Sequence, residues 1–219
     1  MPRSNPSAAD VAYRFVKDLI LSSQLPGGTM VSEGEIAGQL ALSRTPVREA
    51  FLRLESEGWL RLYPKRGAVV VPIAAGEAHA VIDARLLLEV HAVQSLATDA
   101  DRARLRADLV SLVAEQAAAL DCGDVDAYSR HDTAFHLAIV AAGGNALLTS
   151  FSLTLSERQH RMVARSLWQD VERAEAFVAG HERLADLIGA GDSDGFEAAL
   201  RRHLHDAHLT GRAADAASL

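Results

Sequence analysis

The sequence predicts a mainly α protein in two parts, an N-terminal winged helix-turn-helix and a C-terminal all-α bundle of six or seven helices. Three observations predict it. Two helices with clear start signals meet across a short turn between Ser32 and Gly58. Two strand-like runs joined through Pro64-Lys65-Arg66-Gly67 follow at once. From Glu77 onward apolar residues recur at helical spacing, and strand-like alternation is absent.

The elements follow in order. Ala9 to Gln24 reads as a first helix, with Val11, Phe15 and Leu19, flanked by Val16 and Ile20, on its apolar side. Ser32-Glu33-Gly34-Glu35 is a capping box that opens a second helix with Ile36, Ala37 and Leu40 inward. After Ala41-Leu42-Ser43-Arg44 comes a third helix: Thr45 is the expected N-cap, Pro46 suits the first turn, and Gly58 supplies the stop. Val47, Phe51 and Leu54 form its buried stripe, while Arg44 and Arg48, one turn apart, project from its start. Residues 59–62 and 68–71 read as strands of a hairpin with Lys65 and Arg66 at its tip, a wing. Residues 8–73 thus form one domain built to read double-stranded DNA, because guanidinium groups on such a helix reach guanine edges or phosphates.

Pro72 to Gly76 marks the boundary, and residues 77–211 form the helical domain. Helices are expected over about 77–99, 101–121, 124–142, 145–167, 169–189 and 193–211, separated by Cys122-Gly123, Gly143-Gly144 and the glycines around 189–191. The charge divides the same way. Residues 1–73 carry nine Lys plus Arg against seven Asp plus Glu, whereas residues 74–219 carry thirteen against twenty-two. Such a chain meets DNA with one end only. Its single cysteine, Cys122, excludes an internal disulfide; no apolar run is long enough for a membrane span, and no signal peptide is recognisable, so a cytoplasmic location is expected.

The chemistry of the second domain is histidine and carboxylate. Asp132 and His136 lie one turn apart in line with Ile139 and Val140; His181 lines up with Leu184 and Ile188, and His203 with Leu200 and Leu204. Periodicity turns all four inward, on three helices. One carboxylate and three imidazoles make a set suited to one divalent metal ion per chain, Zn²⁺, Ni²⁺, Mn²⁺ or Fe²⁺; each imidazole taken alone is better explained as a core histidine bonded to an acceptor. His131, His160, His205 and His208 are poorer candidates, and His79 and His91 have no convergent partner. Arg85 and Glu89 are either an inward clamp for a carboxylate or a surface pair. Arg158 and Arg161 are further candidates to bind an anion, and Asn145 suits a helix cap.

Two stretches carry a family resemblance. The run from Val31 to Leu60, with Pro64-Lys65-Arg66-Gly67, resembles the DNA-binding domain of the GntR family of bacterial transcription regulators. The resemblance implies that Arg44 and Arg48 contact bases, Ser43 and Thr45 phosphates, and Lys65, Arg66 and Gly67 the minor groove. Two positions depart from the pattern: Gly34, where many relatives of the FadR subfamily carry Arg or Lys, and Ala41, where many carry Gly. Asp132-Thr-Ala-Phe-His136, Gly143-Gly-Asn145, His181 to Asp192 and Arg202-His203-Leu204 resemble the metal-binding ligand domain of that subfamily, the FCD domain. Asp132, His136, His181 and His203 are then the metal ligands, a small organic acid the effector, and Arg85, Arg158 and Arg161 its candidate contacts. The resemblance implies a homodimeric regulator, usually a repressor, on an inverted-repeat operator, and no enzyme. A DNA-binding protein with a purely structural metal is an alternative. So is a metal-dependent hydrolase fused to a DNA-binding head, but no general base, nucleophile or His-Glu-x-x-His accompanies the ligands.

Overall fold

The computed structural model describes residues 6–74, 76–169 and 173–208, and the chain divides into two compact units between Ile73 and Ala74. The first unit comprises helices α1 (Ala8–Leu21), α2 (Glu33–Leu40) and α3 (Arg44–Ser56) and strands β1 (Met30–Val31), β2 (Leu60–Tyr63) and β3 (Gly67–Val70). Capping boxes open α1, through Ser7 and Asp10, and α2, through Ser32 and Glu35. The third helix starts two residues earlier than the Thr45 cap predicts. Ser43 is its N-cap and makes no side-chain cap bond, so Thr45 already lies within the first turn.

Between α2 and α3 the chain reverses at Ala41, which takes left-handed torsions, φ 53° and ψ 38°. That conformation crowds a Cβ against the following carbonyl and favours glycine. Val47, Phe51 and Leu54 are fully buried, as their spacing predicts, together with Ala12, Val16 and Ile20 of α1. The core face of α1 is therefore rotated from the expected one. Val11 is 38% exposed and Phe15 and Leu19 are only half-buried, because the small Ala12 brings α1 close to α3.

The sheet order is β1-β3-β2, antiparallel throughout, with Leu60 opposite Val70 and Met30 opposite Val69. The sequence reading missed β1, whose two residues are too few to show alternation. This strand also explains Gly67: at φ 98°, a Cβ there would stand 2.5 Å from the Val31 carbonyl oxygen.

The second unit contains, among the described residues, α4 (Glu77–Gln94), α5 (Asp99–Asp121), α6 (Val125–Ala142), α7 (Ala146–Gln169), α8 (Ala174–Ala190) and α9 (Ser193–His208). Residues 209–211 of the expected domain lie outside the described residues. Helix α4 stops at Gln94 rather than near residue 99, because Thr98 caps the next helix by accepting the Asp101 amide. Asn145 caps α7, its Oδ1 accepting the amides of Leu147 and Leu148 at 3.1 and 3.2 Å. The core joins Ile82, Leu86, Leu109, Phe135, Ile139, Leu184, Ile188, Phe196 and Leu200 from five of the helices. No described helix is long and apolar enough to cross a membrane.

Candidate metal centre and DNA-reading surface

The Tyr128-Asp132-Phe135-His136-Ile139 row of α6 faces the core, which carries Asp132 and His136 inward among apolar neighbours. Helix α8 brings His181 between Leu184 and Ala185, and α9 brings His203 beside Leu200 and Leu204. One ligand atom from each of the four residues falls within 4.8 Å of every other. Asp132, His136 and His181 are buried; His203 keeps some solvent exposure.

The surrounding hydrogen bonds decide what these atoms can do. Arg85 Nε donates to Glu89 Oε1 at 2.9 Å, and Glu89 Oε2 lies 2.7 Å from His136 Nδ1. When ionised by its pair with Arg85, this carboxylate can only accept, and Nδ1 of His136 then carries the proton. On the other side Gln116 Oε1 lies 2.7 Å from His181 Nδ1, which donates to it when that oxygen faces the ring. Both Nε2 atoms therefore present lone pairs, and they stand 3.1 Å apart. Two lone pairs at that distance repel unless a cation or proton lies between them. Asp132 Oδ1 is 3.5 Å from His181 Nε2, and Asp132 Oδ2 accepts from Gln159 Nε2 at 2.8 Å. Glu89, Gln116 and Gln159 thus fix the far sides of these residues, as the outer partners of metal ligands do.

The tendencies of the two shifted histidines agree, and those of the carboxylates oppose. Burial, then the neighbouring His203, His136 and Arg85, push His181 well below the ordinary imidazole value, and burial with Arg85 takes His203 down to about 4. His181 and His203 are thus neutral and ready to ligate. Burial pushes Asp132 up to about 6 against the pull of Arg85 and the Gln159 hydrogen bond. Burial also raises Glu89, partly opposed by Arg85.

Sequence reasoning missed Gln116, Gln159 and the part Glu89 plays. Gln116 was legible as a polar residue in line with Leu109 and Val113 on the buried face of α5. Gln159 had no such signal. Of the anion candidates, Arg85 is 4% exposed, which settles its pair with Glu89 as an internal one. Its Nη2 is buried without a hydrogen-bond partner among the described residues, as is Gln116 Nε2. Arg158 is instead exposed and bonded to Glu77, and Arg161, although buried, also lies in the field of Glu77. His131 and His160 pair with Glu115 and Asp126, each at 3.2 Å. Cys122 is an exposed free thiol.

In the first unit, Ser43, Arg44, Thr45, Arg48, Lys65 and Arg66 are exposed and Gly67 is half-buried. Two other cations there are engaged: Lys17 with Glu57 at 2.9 Å and Arg53 with Asp10 at 2.7 Å. Arg44, Arg48, Lys65 and Arg66 have no carboxylate partner among the described residues, although the Arg44 guanidinium lies against Gly34 of α2. Unpaired cations gathered at a helix start and a wing tip are what phosphates and base edges require.

Fold and site together define a winged-helix DNA-binding protein with a helical second domain built around a buried His/Asp cluster. The profile of the gntR family of bacterial regulatory proteins matches residues 8–70, and that of the FCD domain matches residues 80–206. The chain belongs to the GntR family, in its FCD-containing form, a family of DNA-binding transcription regulators rather than enzymes. It is 31% identical over 142 residues to an HTH-type transcriptional regulator from the ttuE-ttuC' intergenic region of Agrobacterium vitis, covering 63% of this chain and 82% of that one. It is 27% identical over 207 residues to the gluconate operon repressor of Bacillus licheniformis, with coverage of 91% and 84%. The structure of a GntR regulator from Rhodococcus sp. RHA1 superposes with a TM-score of 0.76 at 20% identity, covering 92% of this chain and 96% of that one, which shows the shared fold.

Proposed function

We propose that this protein is a homodimeric repressor of the FadR subfamily whose hold on an inverted-repeat operator is released by a small carboxylate bound at a metal in the helical domain. The observation that carries the reading is the pair of imidazole Nε2 lone pairs facing each other at 3.1 Å, each ring fixed by an acceptor behind it. Asp132, His136, His181 and His203 would hold one divalent ion, Zn²⁺, Ni²⁺, Mn²⁺ or Fe²⁺. When bound, it supplies Lewis-acid positions for a carboxylate oxygen.

The chain's own residues favour an anion there. Ionised Asp132 and Glu89 with Arg85 sum to one negative charge, which a divalent ion turns into one positive charge buried in the bundle. A monoanion restores neutrality. Arg85 Nη2 and Gln116 Nε2, both buried and unpartnered, are donors an acidic ligand can satisfy. The gluconate operon repressor among the relatives bears the name of an operon for a carboxylate sugar.

Arg44 and Arg48 read bases, Ser43 and Thr45 hold phosphates, and Lys65, Arg66 and Gly67 enter the minor groove. Leu147 and Phe151, 82% and 65% exposed one turn apart on α7, give a second copy an apolar face to cover. A cytoplasmic location accords with DNA as the partner. By linkage, effector and operator weaken each other's binding by the same factor.

The experiment is an operator-binding assay with and without a carboxylate such as gluconate, on wild type, His203→Ala and Arg85→Ala. Both variants should bind operator and fail to release it. Release of the His203 variant at the wild-type effector concentration would make the cluster structural and this reading wrong.

A further inference from the structure

The helical domain is strongly acidic, yet a cavity of about 500 Å³ between α8 and α9 has three arginines on its wall, Arg173, Arg183 and Arg202, against one acid, Asp206. Its space comes from small residues: Ala176 and Gly180 on one helix and Ala199 on the other leave room between the backbones. Gly180 matters most, since a Cβ there would stand 2.7 Å from Nδ1 of His203. His203 itself lines the cavity and belongs to the His/Asp cluster, so one imidazole separates the two spaces.

The three arginines differ in what they already hold. Arg173 donates to the Asp206 carbonyl and lies over the Phe177 ring, 5.4 Å from its centroid. Arg183 and Arg202 are exposed and have no ion pair among the described residues. Two unpaired guanidinium forks at the mouth of a cavity with low-dielectric walls form a focused positive field in an otherwise negative domain. A volume of this size accommodates a small-molecule ligand rather than a water cluster.

We propose that this cavity is a second anionic subsite and the entrance to the cluster, so that the ligand is an acid bearing a second anionic group. One carboxylate is directed past His203 to the centre, and a second anionic group, phosphate or carboxylate, rests between Arg183 and Arg202. The proposal rests on the carboxylate reading of the centre and adds the second charge.

The test is calorimetric titration of the metal-loaded full-length protein with two pairs of probes, gluconate against 6-phosphogluconate and butyrate against glutarate. Metal content is measured on each sample by elemental analysis. In at least one pair wild type should bind the acid with the second anionic group about tenfold or more tightly than the monoanion. The Arg183→Ala/Arg202→Ala variant should lose that preference, and Arg202→Lys should keep part of it. A phosphate preference without a glutarate preference identifies a phosphorylated acid, and the reverse a dicarboxylate.

Equal affinities within both pairs on metal-containing wild type would overturn the proposal and leave the metal reading standing. So would a preference that survives loss of both arginines. Wild type that holds no metal but keeps an arginine-dependent preference would support the subsite while refuting the metal reading.

Discussion

Changing Glu89 to Gln tests the central argument, because it preserves shape and removes one acceptor. Glu89 uses one oxygen for Arg85 Nε at 2.9 Å and the other for His136 Nδ1 at 2.7 Å. An amide offers one oxygen and one NH₂, so only one partner can keep its acceptor. Turning the oxygen to His136 would strand Arg85 Nε beside an Nη2 that already lacks a partner, at a cost of about 1.5–3 kcal/mol. The oxygen therefore stays with Arg85 and the amide NH₂ faces His136. His136 then accepts at Nδ1 and carries its proton on Nε2, where it donates to His181 Nε2 across the 3.1 Å gap. The metal-free fold gains a hydrogen bond, while the metal loses a lone pair. Metal affinity should fall by about 10–100-fold, or roughly 1.4–2.7 kcal/mol, the usual effect of losing a group that orients a ligand. Thermal stability of the metal-free protein should hold to within a few degrees. Chelator competition for the metal and melting of the stripped protein measure the two effects separately. Metal affinity within threefold of wild type, with the fold intact, would refute the tautomer argument.

Three further outcomes are expected. Arg48→Ala should weaken specific operator binding by about 1–3 kcal/mol in gel shifts at fixed salt, with folding unchanged, since the side chain is exposed and unpaired. Ala41→Gly should stabilise the protein by about 0.5–1 kcal/mol in urea unfolding: relief of a left-handed alanine is worth about 1–2 kcal/mol and the looser unfolded chain takes part of it back. Burial pushes Glu57 up, but hydrogen bonds from Lys17 and Tyr13 outweigh it and hold the carboxyl below its ordinary value of 4.5. That contribution is present above pH 4.5 and lost as pH falls through the lowered value, so acid should loosen α1 in hydrogen exchange, and less steeply in Glu57→Gln.

The legible parts of the fold were those written in local patterns. The capping box of α2, the Val47-Phe51-Leu54 stripe and the inward rows of α6, α8 and α9 read correctly, because one helix face suffices to state them. The core face of α1 read only in part: Val16 and Ile20 are buried as expected, but Ala12 in place of Val11 is chosen by what α3 presents, a tertiary fact. The pairing of β1 with β3 joins residues nearly forty apart, which no window detects. The four clustered residues were found from periodicity and resemblance together. Gln116 and Gln159, which orient two of them, come from helices with no marked motif, and only assembly shows where an amide points.

The four clustered side chains come from α6, α8 and α9, so any ion they share ties together positions some seventy residues apart. In a chain with a single cysteine it would serve as the cross-link that no disulfide can provide. Closing a loop of that length removes denatured-chain entropy worth about 4 kcal/mol on the disulfide scale. The order of synthesis then matters. A ribosome releases Asp132 and His136 first and His203 near the end, so a nascent or truncated chain can gather part of the set but cannot fasten it. Metal capture would mark a finished domain, and scarcity of the ion would leave newly made copies more open to proteolysis than those already loaded.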